Sequence, residues 1–121
     1  MLNLDTHILI DALIGEISRS EKKILSREKW CISSIVLWEI AKLNQLNRIN
    51  LEVQSIEFSR ILSQISIIPL DVNICQLSTE LDFSSDPADE LIAATSIAHK
   101  IPLLTRDKKI LKSKIVPFAT T

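Results

Sequence analysis

Hydrophobic positions change their period along this chain, and each change marks an element. Met1 to Leu4 predicts a short strand. From Thr6 to Leu13 the residues Ile8, Leu9, Ala12 and Leu13 recur at helical spacing. Ser18 or Ser20 is placed to cap a helix through about Glu28, with Ile24 and Leu25 inward. Trp30-Cys31-Ile32-Ser33 predicts a buried strand, and Ser34 a cap for a helix with the apolar stripe Ile35, Val36, Ile40 and Leu43. Glu52 to Gln64 predicts a helix, Ser66 to Leu70 a strand and Val72 to Leu81 a short helix. Asp86 opens a helix to about His99. Ile101 to Thr105 then predicts a strand, Lys108 to Lys112 a helix, and Ile115-Val116-Pro117-Phe118 a last strand. Short apolar strands alternating with helices predict an α/β fold, a three-layer sandwich whose mainly parallel sheet is flanked by helices. In such sheets the ligand site lies beyond the carboxyl ends of the strands.

A length of 121 residues predicts one domain spanning 1–121, large enough for a core without staples. The single glycine, Gly15, excludes glycine-rich phosphate loops, and with them P-loop and dinucleotide sites. Cys31 and Cys75 lie isolated in apolar segments, which predicts buried free thiols and suits a reducing cytoplasm. The amino terminus lacks the basic start and cleavage site of a secretory signal, and no apolar run has membrane-span length. The expectation is a cytoplasmic protein without a membrane partner.

A formal net charge of -1 counts against a polyanion partner. The charge is unevenly spread, however. Lys22, Lys23, Arg27 and Lys29 cluster early, and Lys100, Arg106, Lys108, Lys109, Lys112 and Lys114 cluster late. Each cluster reads as a solvated helix face or as a basic rim beside an acidic site.

The acids carry the chemistry. Asp5 follows the first strand and Asp107 follows the strand ending at Thr105, so both belong at the carboxyl edge of the sheet. Asp86 and Asp89 begin a helix facing that edge. Glu39 lies inside a helix with Ile35 and Leu43 one turn to either side, so its carboxylate points toward packed surroundings and needs a partner or a metal. Each acid also has a purely structural reading. Asp5 and Asp107 are placed to cap helices, and Glu39 to pair with Lys42. Pro87, suited to a first helical position, makes Asp86 a cap whose side chain turns onto its own helix and leaves Asp89 to project toward the edge. Carboxylates gathered at one edge repel unless neutralised, and an oxygen-only ligand set suits Mg²⁺ or Mn²⁺. His7 is near this edge, and His99 ends a helix, where a cation is favoured anyway.

The ordered set Leu4-Asp5-Thr6-His7, Ser34-Ile35-Val36-Leu37-Trp38-Glu39-Ile40, Asp86-Pro87-Ala88-Asp89-Glu90-Leu91-Ile92-Ala93-Ala94-Thr95 and Leu103-Leu104-Thr105-Arg106-Asp107 resembles PIN-domain proteins, especially the VapC-type toxins of bacterial toxin–antitoxin pairs. Arg48-Ile49-Asn50-Leu51 resembles the turn after the third helix of that group. The resemblance covers nearly the whole chain. It implies a Mg²⁺- or Mn²⁺-dependent endoribonuclease with metal ligands Asp5, Glu39, Asp89 and Asp107, oriented by Thr6 and Thr105. It also implies an RNA substrate, a small antitoxin protein as partner, and a homodimer. Glu90 departs from it, standing where many relatives have arginine. That departure, which removes a positive charge near the site, keeps open the alternative of a catalytically inactive PIN-like protein-interaction domain, against which the four retained acids argue. A receiver domain, also α/β with acids around Mg²⁺, needs an acid at the end of a middle strand, and Trp30 to Ser33 offers none.

Overall fold

The computed structural model describes residues 1–120. Its elements in chain order are β1 (Leu2–Leu4), α1 (Thr6–Ile14), α2 (Arg19–Arg27), β2 (Trp30–Ser33), α3 (Ser34–Gln45), α4 (Ile56–Leu62), β3 (Ser66–Ile68), α5 (Val72–Leu77), α6 (Pro87–His99), β4 (Leu103–Leu104) and α7 (Lys108–Leu111). The strands form one parallel sheet in the order β3-β2-β1-β4, flanked by helices. Asn3 stands beside Cys31 on one side and Leu103 on the other, which makes β1 central.

Alternation along the strands divides the core. Cys31 and Ile68 pack with Ile74 of α5 and Ala94 of α6. Leu2, Leu4 and Ile32 join a larger cluster that includes Ile8, Leu9, Ile24, Leu25, Val36, Ile40 and Phe58. Ser18 caps α2 with a complete capping box, its hydroxyl accepting from Glu21 N while Glu21 accepts from Ser18 N. Gly15 ends α1 at φ 80°, a left-handed position that suits glycine.

Several sequence expectations need correction. Ile115 to Phe118 forms no strand and contributes only a bridge between Phe118 and Leu103. Its amides are spent otherwise: Ile115 N and Val116 N donate to Ser113 Oγ, and Pro117 has no N–H. The helix expected from Glu52 starts only at Ile56, because Ser55 caps it by accepting from Phe58 N. Ser33, not Ser34, caps α3. Cys31 is buried, and burial pushes its thiol up to about 11, but Cys75 is exposed.

Candidate active site

Parallel strands place their carboxyl ends on one edge, and there the chain gathers its acids. A pocket of about 470 Å³ is lined by Asp5, Glu39, Asp89 and Asp107, together with Asp11, Asp86, His7, Ile8 and Arg106. Asp5 leaves β1 at the amino end of α1, almost wholly buried, and its Oδ1 accepts from Thr6 N at 2.8 Å. Its Oδ2 accepts from Thr105 Oγ1 at 2.5 Å, beyond β4. The Thr6 hydroxyl donates to Glu39 Oε1, tying α1 to α3. Both threonines therefore orient acids, as the sequence led us to expect. Lys42 instead donates to Gln45 at 3.0 Å and leaves Glu39 without that partner.

The start of α6 differs from expectation. Asp86 occupies the cap position with Pro87 following, yet its side chain makes no capping hydrogen bond. It is exposed at the pocket instead. Ser85 does the ordering: its hydroxyl donates to Asp89 Oδ2 at 2.9 Å, and its amide to Glu90 Oε2 at 3.3 Å. Glu90 thus braces the loop ahead of Asp89 and does not line the pocket. Asp107 caps α7, with Oδ1 accepting from Lys109 N and Ile110 N at 2.8 and 3.1 Å.

Six carboxylates line the pocket against one guanidinium. Arg106 donates from Nε and Nη2 to the two oxygens of Glu21 at 2.7 and 2.8 Å, and from Nη1 to Asp11. It holds Glu21 down at about 2, so it is largely neutralised. The other basic side chains of the late cluster do not line the pocket. His7 lies in the pocket, and His99 does not. Burial, followed by repulsion from neighbouring acids, raises Glu39 above its ordinary range through Asp89 and Asp5, and raises Asp89 through Asp5, Asp107 and Asp86. Burial likewise raises Asp5, against the opposing hydrogen bonds of Thr105 and Thr6.

This is a donor set that favours a hard cation, because oxygen ligands and unrelieved negative charge both suit one. Glu39 Oε2, Asp89 Oδ1 and Asp107 Oδ2 accept no hydrogen bond among the described residues. The acids surround the pocket without closing into a cage: among the described residues no three His, Cys, Asp or Glu side chains already stand as a metal-binding group. Free carboxylate oxygens that repel one another fit a divalent ion, which would neutralise them together.

Asp11, Ser85 and the pairing of Arg106 escaped the sequence reading. Asp11 had a signal, since it stands one turn beyond His7 and three residues after Ile8 on α1. Ser85 lies one position ahead of the cap and fits no standard capping pattern.

The PIN domain family profile matches residues 3–115. Among solved structures, a toxin–antitoxin complex from Klebsiella pneumoniae contains a chain 25% identical, with TM-score 0.76, coverage of 98% of this chain and 97% of that one. The VapBC2 complex from Rickettsia felis, bound to a DNA fragment from its promoter, gives 23% identity, TM-score 0.73 and 98% coverage of both chains. FitAcB from Neisseria gonorrhoeae gives 18% identity, TM-score 0.67, and coverage of 98% and 97%. No curated protein matches in sequence. With the profile spanning nearly all of the chain and the fold shared throughout its length, this chain belongs to the PIN domain family.

Proposed function

We propose that this chain is a Mg²⁺- or Mn²⁺-dependent endoribonuclease, the toxin of a toxin–antitoxin pair, acting in the cytoplasm as a single-domain protein that forms a homodimer. The observation that carries the reading is the convergence of Asp5, Glu39, Asp89 and Asp107 on one pocket of a PIN-family chain. These four would hold the metal, which when bound supplies charge for the phosphate in flight and a water of lowered pKa. Asp5, gripped by Thr6 N and Thr105 Oγ1, is the fixed reference of the set. Glu39, pinned at Oε1 by Thr6, presents Oε2. Asp89, pinned at Oδ2 by Ser85, presents Oδ1. A pocket carboxylate oxygen not engaged with the metal would take the proton lost by the attacking water. Attack of that water on phosphorus would break the bond to the leaving ribose oxygen, which would take back the proton held by the carboxylate.

The excess of carboxylates also suits a partner protein that inserts an arginine, whose guanidinium pairs well with clustered acids. The toxin–antitoxin complex of the Klebsiella relative supports an antitoxin as the partner. Glu90 serves the Ser85 loop outside the pocket, and the four acids that argue against the non-catalytic alternative all line it, which supports the catalytic reading.

Purified protein incubated with RNA tests the reading. Cleavage should need added Mg²⁺ or Mn²⁺, stop in EDTA and vanish in Asp5→Asn. Cleavage that survives both EDTA and Asp5→Asn would sink it.

A further inference from the structure

Below the acidic pocket, the centre of the sheet holds a polar side chain that the proposed chemistry does not use. Asn3 lies in β1 with no exposure to solvent. Its Nδ2 donates to Ser96 Oγ at 2.9 Å and to Ile92 O at 3.2 Å, both on α6. Its Oδ1 has no protein hydrogen-bond partner among the described residues. The amide cannot profitably turn over, because the Ile92 carbonyl only accepts. A buried oxygen without a donor costs stability, whereas an apolar side chain of similar size would fill the same place without that cost. Stability alone does not account for Asn3, because the idle oxygen offsets part of what its two hydrogen bonds contribute.

Direction does. The buried residues of α6 are mostly small: Ala88, Ala93, Ala94, Thr95 and Ser96. The α6 side that meets Asn3 carries Ile92 and Ser96, while other sides of the helix pack on α5, α3 and β2. Two hydrogen bonds from one strand residue to two points on the helix admit one register only. Asp5 follows Asn3 by two residues, just past the end of β1, about 6–7 Å along the chain direction. Asp89, Ile92 and Ser96 share a face of α6, and Asp89 lies about 10 Å up the helix from Ser96. The strand and the helix each end in a carboxylate at the same pocket.

We infer that Asn3 is a positioning residue whose hydrogen bonds to Ser96 and Ile92 set the register of α6 against β1, and with it the separation of Asp5 and Asp89. The consequence for metal binding rests on the proposed function; the register does not.

The double variant Asn3→Leu/Ser96→Ala removes both partners and leaves no new buried polar group. Crystal structures of the parent and the double variant should show α6 displaced along its axis, with a changed Asp5–Asp89 separation. The melting temperature should hold or rise. Mn²⁺ affinity by titration calorimetry should fall about tenfold, as for other groups that orient metal ligands. The melting temperature separates this from a packing role, which would lower stability and leave affinity alone. Superposable α6 helices, or a displaced helix with parental affinity, would overturn the inference. So would a double variant that fails to fold, since the pair would then serve stability. In Asn3→Leu alone, the Ser96 hydroxyl can fall back on Ile92 O, and the helix should still shift. A parent protein that binds no Mn²⁺ refutes the metal site, and the position of α6 then decides the register by itself.

Discussion

Asp86 and Asp89 stand three residues apart at the start of α6, and both face the pocket. Their hydrogen bonds separate their roles. Asp89 is half-buried and held by Ser85, while Asp86 is exposed and caps nothing through its side chain. A true capping side chain is worth about 0.5–2 kcal/mol, and Asp86 forgoes that bond. Asp86→Ala should therefore change stability by less than about 0.5 kcal/mol, the ordinary range for a surface substitution, and should retain metal-dependent cleavage. Asp89→Asn keeps an oxygen for Ser85 and the volume of the side chain, so the fold should persist while cleavage is lost. Urea unfolding and an RNA cleavage assay on the two variants check this. A dead Asp86→Ala beside an active Asp89→Asn would exchange the two assignments. Asp5, Glu39, Asp89 and Asp107 were legible as candidates because each follows a strand, opens a helix or shares a helix side with apolar residues. The idle side chain of Asp86 was not, because Pro87 predicts the position of the cap and not whether its carboxylate uses it.

Elements whose ends are set by local hydrogen bonds were the most legible. Ser18 with Glu21 spells out the start of α2, and Trp30 to Ser33 is a strand with the bounds its apolar run predicts. Legibility failed where a single side chain diverts backbone amides. Ile115 and Val116 look like strand residues, yet Ser113 Oγ accepts both of their N–H groups at 3.2 and 3.1 Å and donates to Asp82 Oδ1 at 2.6 Å. Nothing in the apolar pattern announces that turn. Ser113 and Val116 are buried, so removing the hydroxyl strands the Val116 amide, whereas Ile115 is exposed and its amide can turn to water. Ser113→Ala should cost about 1–3 kcal/mol, the usual penalty for unsatisfied buried groups. The urea midpoint should fall at constant slope, and Mn²⁺ affinity should stay at the parental value because the turn lies away from the pocket. A midpoint shift worth less than about 0.5 kcal/mol would mean that the chain after α7 is ordered by its apolar contacts and not by Ser113.

Across the whole molecule, the acidic pocket opposes folding and a cation should reverse the sign. Burial, with repulsion added, raises Asp5, Glu39 and Asp89 above their unfolded values. Between the unfolded and the folded value of each, the native state holds more protons than the unfolded chain, so stability falls as pH rises through that window. Glu21 works in the other direction. Arg106 lowers it from 4.5 to about 2, so its contribution is present above 4.5 and is lost as pH falls toward 2. Metal-free protein should consequently be most stable in mild acid and should lose stability toward neutrality. A divalent ion needs the ionised carboxylates and competes with their protons, so it should bind more weakly in acid and stabilise the fold most where the bare site costs most. Melting temperatures measured from pH 4 to 8, with and without MnCl₂, should cross over: the metal-free curve declines above its acidic maximum, and the Mn²⁺-induced rise grows with pH. A rise as large at pH 4.5 as at pH 7.5 would place the ion away from these carboxylates. Metal-free stability that climbs steadily to neutrality would mean that water reaches the pocket acids in solution and that neither burial nor repulsion raises them.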